Sequence, residues 1–93
     1  MRLFHCASPE ARPSIWSQGL RPMRHGLLFV WPTREAAEEY RRDLVGGCAD
    51  IWAFEDHGES RESPSPIISA GATARVLERA VPPGNLELVY EAR

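Results

Sequence analysis

Five consecutive apolar residues, Leu27 to Trp31, stand between Gly26 and Pro32. A run of this length, without alternation and bounded by glycine and proline, is typical of a strand that other elements cover on both faces. Proline cannot donate to a sheet ladder, so the strand is expected to end at Pro32. The pattern therefore predicts a central strand in the core.

Two helices are predicted on either side of this strand. The first begins at Ser8-Pro9, where a serine N-cap precedes proline at the first helical position, and it ends at Gly19. The second is capped by Thr33 and runs to about Leu44. Its apolar residues recur at helical spacing, so one face is expected to be buried.

Further strands are predicted over residues 2–7, 49–55, 73–81 and 86–91. The strands over residues 2–7 and 49–55, the central strand between them and the two helices form a βαβαβ-like stretch. Within residues 49–55, Ile51 and Ala53 should share one face and Trp52 and Phe54 the other.

Residues 56–66 combine glycine, serine and proline and predict a polar surface loop. Asp56 to Glu59, within this loop, is interpreted as solvated surface rather than a metal or acid–base cluster. Two prolines and a glycine in residues 82–85 predict the turn between the last two strands.

The composition is that of one folded domain over residues 1–93. Apolar residues make up 43% and charged residues 26%, and the formal net charge is −2. This balance gives no overall attraction to a phosphate backbone, so nucleic acid is not an expected partner, although arginines cluster in the first half.

Cys6 and Cys48 form no paired motif, which predicts reduced thiols and no metal site. Neither a signal peptide nor a membrane span is indicated, so we expect a cytoplasmic protein without membrane contact.

Three segments carry a resemblance to a known family. They are Leu3-Phe4-His5-Cys6, Gly19-Leu20-Arg21-Pro22-Met23-Arg24, and the stretch from Ala74-Arg75-Val76-Leu77 to Val81-Pro82-Pro83. Their order resembles the ADP-ribosyltransferase superfamily, which includes poly(ADP-ribose) polymerases, RNA 2′-phosphotransferases and the DNA ADP-ribosyltransferases of toxin systems. The resemblance implies an α+β fold, a small split β-sheet with two short helices, and NAD as the bound substrate.

The resemblance also assigns roles to individual residues. His5 would bond the ribose of NAD and favour the departure of nicotinamide, and Arg24 would face the pyrophosphate. Tyr40 would lie over the nicotinamide ring, although its place on the apolar stripe of the second helix favours a core tyrosine. Without the resemblance in the order of these segments, His5 would be interpreted as a histidine at a strand end whose hydrogen bonds are satisfied. Arg24 would be interpreted as a solvated loop residue.

The chain departs from the family at the acid that engages the ribose. Arg75 stands at the resembling position, and an arginine cannot accept a proton there. Arg75 is instead expected near phosphates, and Glu78 and Glu87 are the candidates to replace the acid. Phe29 stands where the phosphotransferases have a second histidine, so removal of an RNA 2′-phosphate is not expected.

Two functions follow as hypotheses. The first is a domain that binds NAD or an ADP-ribose compound and transfers ADP-ribose to a macromolecule, in a phage or toxin–antitoxin setting. The alternative is a catalytically inactive protein-interaction module that uses residues 56–66 or the arginine-rich second helix against a partner.

Overall fold

The computed structural model describes residues 1–23, 26–43, 46–65 and 67–92. Within these ranges the chain is an α+β protein with two α-helices and several antiparallel sheets, which confirms the predicted class. The α-helices are α1 (Arg12–Gln18), preceded by a 3-10 turn at Pro9–Ala11, and α2 (Arg34–Asp43). The strands are β1 (Arg2–Ala7), β2 (Leu28–Val30), β3 (Asp50–Glu55), β4 (Arg61–Glu62), β5 (Ile68–Ser69), β6 (Ala72–Thr73), β7 (Arg75–Leu77) and β8 (Glu87–Tyr90).

The strands divide into separate sheets. One sheet has the order β1-β3-β8, a second has the order β2-β7-β4, and β5 and β6 form a hairpin. Every pairing is antiparallel, and β1 pairs directly with β3. The βαβαβ-like order is therefore not wound as parallel crossovers, since the strand between the two helices belongs to the other sheet.

The β1-β3-β8 sheet is covered on both faces, as the alternation in β3 predicts. Trp52 and Phe54 pack with α1 and the second sheet, in a cluster that includes Ile15 and Leu28. On the opposite face, Ile51 and Ala53 pack against the alanines of α2, Ala36 and Ala37, in a second cluster.

Both predicted capping residues make cap hydrogen bonds, but Ser8 caps the 3-10 turn, and α1 itself begins at Arg12 after Ala11 without a side-chain cap. The hydroxyl of Ser8 accepts a hydrogen bond from the backbone N–H of Glu10, and that of Thr33 accepts one from Ala36 at 3.1 Å. α1 stops at Gly19, whose φ of 80° is favoured by glycine. α2 ends at Asp43 as described, and Leu44, the predicted last residue, lies outside the described residues.

Two sequence predictions about strands are wrong in part. β2 is not covered on both faces, because the side chain of Phe29 is 44% exposed. Residues 73–81 are not one strand: β6 and β7 are separate, and Val81 forms an isolated bridge with Leu20. Sequence periodicity missed this because these pieces of strand are two or three residues long.

The predicted polar loop over residues 56–66 contains β4 and a buried anchor. Asp56 is 2% exposed, so its interpretation as solvated surface is wrong. Its carboxylate accepts hydrogen bonds from the backbone of Glu59 and Ser60 and from the Ser60 hydroxyl, and these bonds lower its pKa against the opposing effect of desolvation. Neighbouring glycine and serine concealed this role in the sequence.

Candidate ligand-binding site

The two main sheets meet at one bridge and then separate. Phe4 and Trp31 exchange backbone hydrogen bonds of 2.9 and 2.7 Å between β1 and the end of β2. An uninterrupted antiparallel ladder would next pair Cys6 with Phe29. Instead, Nδ1 of His5 lies 2.7 Å from the carbonyl oxygen of Phe29. A side chain thus takes the place of a backbone donor, and the strands diverge beyond it.

A cavity of about 250 Å³ opens where the strands diverge. Its lining comes from the two chain segments at the gap, from α2 and from the residues just before β5 and β7. The lining residues are His5, Cys6, Phe29, Trp31, Tyr40, Ile67 and Ala74. The ring centroids of Trp31 and Tyr40 lie 5.3 Å apart. The side chains of Phe29 and Ile67 are partly exposed to solvent at the cavity. A partly enclosed aromatic wall of this kind suits a flat ring.

The hydrogen bond of His5 fixes its tautomer. A carbonyl oxygen only accepts, so Nδ1 must carry the proton. Burial lowers the pKa of His5, and the hydrogen bond to Phe29 offsets only part of this effect. The neutral imidazole therefore has an unprotonated Nε2. This atom makes no hydrogen bond to a described residue, and its lone pair can only accept.

The other polar groups in the wall are also uncharged. Burial raises the pKa of the Cys6 thiol to about 11, against a smaller lowering by the charge of Arg41. The Cys6 Sγ donates to the carbonyl of Ala37 at 3.3 Å, which makes it a packed thiol rather than a nucleophile. No hydrogen bond joins the Tyr40 hydroxyl to any part of the chain that the structure describes.

Two further cavities adjoin the first at His5. One, of about 220 Å³, is lined by His5, Met23, Leu27, Leu28 and Phe29. The other, of about 210 Å³, lies against α1 and includes His5, Ser14 and Arg21 in its lining. A ligand larger than one ring would therefore find surface on both sides of His5.

Only some of the predicted site residues come together. His5 and Tyr40 line the same cavity. Arg75 is held elsewhere: its Nε donates to the Ser60 hydroxyl at 2.9 Å and its Nη2 to the Ser60 carbonyl at 2.8 Å. Arg75 is not among the residues that line the cavity, and it directly follows Ala74, which is. Neighbouring side chains in an extended segment point to opposite faces, so Arg75 points away from Ala74. Arg24 lies outside the described residues.

The two candidate acids also lie apart from His5. Glu78 is exposed and pairs with Arg61 at 2.9 Å, and Glu87 is exposed and pairs with Arg2 at the same distance. Neither is among the residues that line the three cavities at His5. The arrangement supplies an acceptor and aromatic surface, but the described lining supplies no carboxylate.

Cavity residues that the sequence analysis did not predict as site residues are Cys6, Phe29, Trp31, Ile67 and Ala74. Phe29 and Trp31 occupy alternate positions at the end of β2, and this alternation is hidden because the adjacent Leu28 and Val30 are apolar as well. Ile67 follows the loop and has no periodic signal of its own. Its position depends on the hairpin of β5 and β6, which Ser69 anchors to the carbonyl of Ala36 at 2.8 Å.

The described residues bring no three potential metal ligands into one group. Neither α-helix in the described ranges has the length and hydropathy needed to cross a bilayer. No protein-family model, curated protein or solved structure matches this chain in the comparisons.

Proposed function

We propose that this chain binds NAD or a related ADP-ribose compound, with the flat ring of the ligand in the His5 cavity. The observation that carries the proposal is the position of His5, which is held by the Phe29 carbonyl at the gap between the sheets and lines one cavity with Phe29, Trp31 and Tyr40. The resemblance of Leu3-Phe4-His5-Cys6 to the histidine strand of ADP-ribosyltransferases supports the same ligand.

The dimensions of the cavity fit part of the ligand. Pockets that enclose a whole drug-sized molecule measure about 300–1,000 Å³. A cavity of about 250 Å³ suits a single ring, and the rest of a dinucleotide would extend along the cavities that share His5. Arg21, in the third cavity, is exposed and could meet a phosphate, as Arg24 would in the sequence-based hypothesis.

Binding is better supported than transfer. Transfer of ADP-ribose needs a group that stabilises the developing positive charge on the ribose, and a carboxylate is the usual choice. Glu78 and Glu87 are engaged by arginines away from the cavity, and Arg75 is engaged by Ser60. A transfer activity in a phage or toxin–antitoxin setting therefore stays a hypothesis without support from the site.

Calorimetric titration with NAD tests the proposal. Phe29→Ser removes an exposed ring from the cavity mouth, so NAD binding should weaken about tenfold while the fold is retained. Ile68→Ser is the matched control, because Ile68 is 68% exposed and lies outside the His5 cavity. Absence of NAD binding to the unaltered protein would refute the proposal, and equal binding by both variants would place the ligand elsewhere.

One observation favours the alternative, a protein-interaction module. Apolar side chains stand exposed around the cavity: Met23 at 76%, Phe29 at 44% and Ile67 at 40%. The surfaces named from the sequence are less suitable, because Asp56 and Ser60 are buried and Arg41 donates to Gly47. Capture of one stoichiometric partner that is lost with Met23→Ser, together with no NAD binding, would favour this function.

A further inference from the structure

We propose that the β5-β6 hairpin is a lid on the His5 cavity and that the carboxylate of Glu39 in α2 holds this lid closed. Such a lid operates whatever ligand the cavity takes, so it lies beyond the proposed function. Both ends of the hairpin reach the cavity, because Ile67 precedes β5, Ala74 follows β6, and both residues belong to the lining.

The two ends of the hairpin are held to different degrees. Ala74 is 2% exposed and packs in the cluster that includes the alanines of α2, and its carbonyl accepts a hydrogen bond of 3.0 Å from the backbone of Ser63. Ile67 is 40% exposed, and its carbonyl accepts a hydrogen bond of 2.8 Å from the backbone N–H of Ala74. Ile67 is therefore the end that leaves the cavity wall when the lid opens, and the N–H of Ala74 then loses its partner.

Little apolar surface attaches the hairpin to the rest of the protein. Among residues 68–73, all of which the structure describes, Ser69 is the only buried one, and Ile68 is 68% exposed. A groove of about 140 Å³ lies between the hairpin and α2, and its lining includes Glu39, Tyr40 and Ile68. Segments with few buried apolar contacts open at a lower free-energy cost than the core.

Polar contacts with α2 take the place of apolar packing. The Ser69 hydroxyl lies 2.8 Å from the carbonyl oxygen of Ala36 and 3.1 Å from Oε2 of Glu39. The same Oε2 accepts a hydrogen bond from the backbone N–H of Ala70. Hydrogen bonds to an ionised acceptor are stronger than those between neutral groups, so we expect Glu39 to make the larger contribution to closure.

The turn of the hairpin carries backbone strain. Ser69 pairs with Ala72, so Ala70 and Gly71 form a two-residue turn, and their φ values are 46° and 75°. Positive φ at both positions is the type I′ pattern, in which asparagine followed by glycine is favoured. Alanine is strained at the first position, and the closed hairpin keeps this strain only while its contacts with α2 hold the turn.

Native-state amide exchange, measured by NMR at pH 7 and corrected for intrinsic rates, tests the lid. The N–H of Ala74 should exchange at least about tenfold faster than that of Phe4, whose backbone bond joins the two sheets. Glu39→Ala removes the acceptor and should speed exchange at Ala74 about tenfold without affecting Phe4. Glu38→Ala is the matched control, because Glu38 is the adjacent residue of α2 and contacts Arg34 instead of the hairpin. Equal effects of the two variants would refute the role of Glu39.

Alkylation of Cys6 by iodoacetamide tests whether the opening reaches the cavity. Cys6 belongs to the lining, and the exposed Cys48 gives the internal reference rate. Relative to Cys48, modification of Cys6 should be at least about threefold faster in Glu39→Ala. Ala70→Asn suits the turn and should slow both this modification and the exchange at Ala74 about threefold.

Three results would overturn the lid. They are equal protection of the Ala74 and Phe4 amides in the unaltered protein, unchanged exchange at Ala74 in Glu39→Ala, and faster exchange there without faster modification of Cys6. If Glu39→Ala does not fold, Ala70→Asn decides alone. The lid is then refuted if either the exchange at Ala74 or the modification of Cys6 stays unchanged in Ala70→Asn.

Discussion

His5 of β1 donates from Nδ1 to the carbonyl of Phe29 in β2 across 2.7 Å, one residue beyond the last backbone bridge between the two sheets. This contact closes the junction, and no hydrogen bond joins Nε2 to any residue that the structure describes. His5 therefore has a structural role at Nδ1 while its side chain lines the cavity.

The first prediction concerns the protonation of His5. Imidazole ¹⁵N shifts at pH 7.5 should identify the neutral form with the proton on Nδ1. His57 is exposed and serves as the internal comparison. A His5 spectrum of the Nε2-protonated tautomer would contradict the hydrogen bond from Nδ1 to the Phe29 carbonyl.

The second prediction is a pH dependence of stability. Because the pKa of His5 is lowered in the fold, the unfolded chain binds more protons between this pKa and the ordinary value of about 6.5. The contribution of His5 to stability is therefore complete above pH 6.5 and is lost as the pH falls. The difference in free energy of unfolding between the unaltered protein and His5→Asn should decrease from pH 7.5 to pH 5 in denaturant titrations. If this difference in free energy of unfolding grew towards pH 5, the fold would raise the pKa of His5 instead of lowering it.

The third prediction concerns the buried carboxylate of Asp50. Asp50 is fully buried, accepts two hydrogen bonds of 2.8 Å from Arg12, and accepts a third from the backbone of Ala92. Asp50→Asn removes the charge that these donors satisfy and should lower the free energy of unfolding by about 2 kcal/mol.

The control for Asp50 is Glu78→Gln, which breaks an exposed ion pair with Arg61 and should change stability by less than about 0.5 kcal/mol. Hydrogen bonding to Arg12 lowers the pKa of Asp50, so its contribution is present above the unfolded value of about 3.9 and is lost in stronger acid. Equal effects of the two substitutions in denaturant titrations would refute this assignment.

The fourth prediction concerns the loss of stability when Gly19 is replaced by alanine. A Cβ atom at Gly19 would lie 2.0 Å from the carbonyl oxygen of Val81, and its φ of 80° is unfavourable for alanine. Gly19→Ala should therefore cost at least about 2 kcal/mol of stability. Gly71→Ala has a similar φ of 75° but open space around the added carbon, so it should cost about 1 kcal/mol. Thermal unfolding of both variants checks the difference.

The fifth prediction is selective alkylation of the thiols. With a pKa of about 11, only about one Cys6 in a thousand is a thiolate at pH 8. Cys48 is exposed, so iodoacetamide should modify Cys48 first. Peptide mass spectrometry gives the order, and faster modification of Cys6 would show that its thiol is not held by Ala37.

By itself the sequence determined the local structure. Ser8 caps the 3-10 turn before α1, Thr33 caps α2, and Gly19 ends α1. The alternation of Ile51 to Phe54 assigns the two faces of β3. Each of these signals acts within a few residues. The tertiary structure decided the rest. Residues that are distant in sequence decide three features: the exposure of Phe29, the burial of Asp56, and the contact of Arg75 with Ser60 instead of a ligand. The site follows the same division: His5 could be named from the chain, but only the divergence of two sheets placed it beside Tyr40 and away from Glu78 and Glu87.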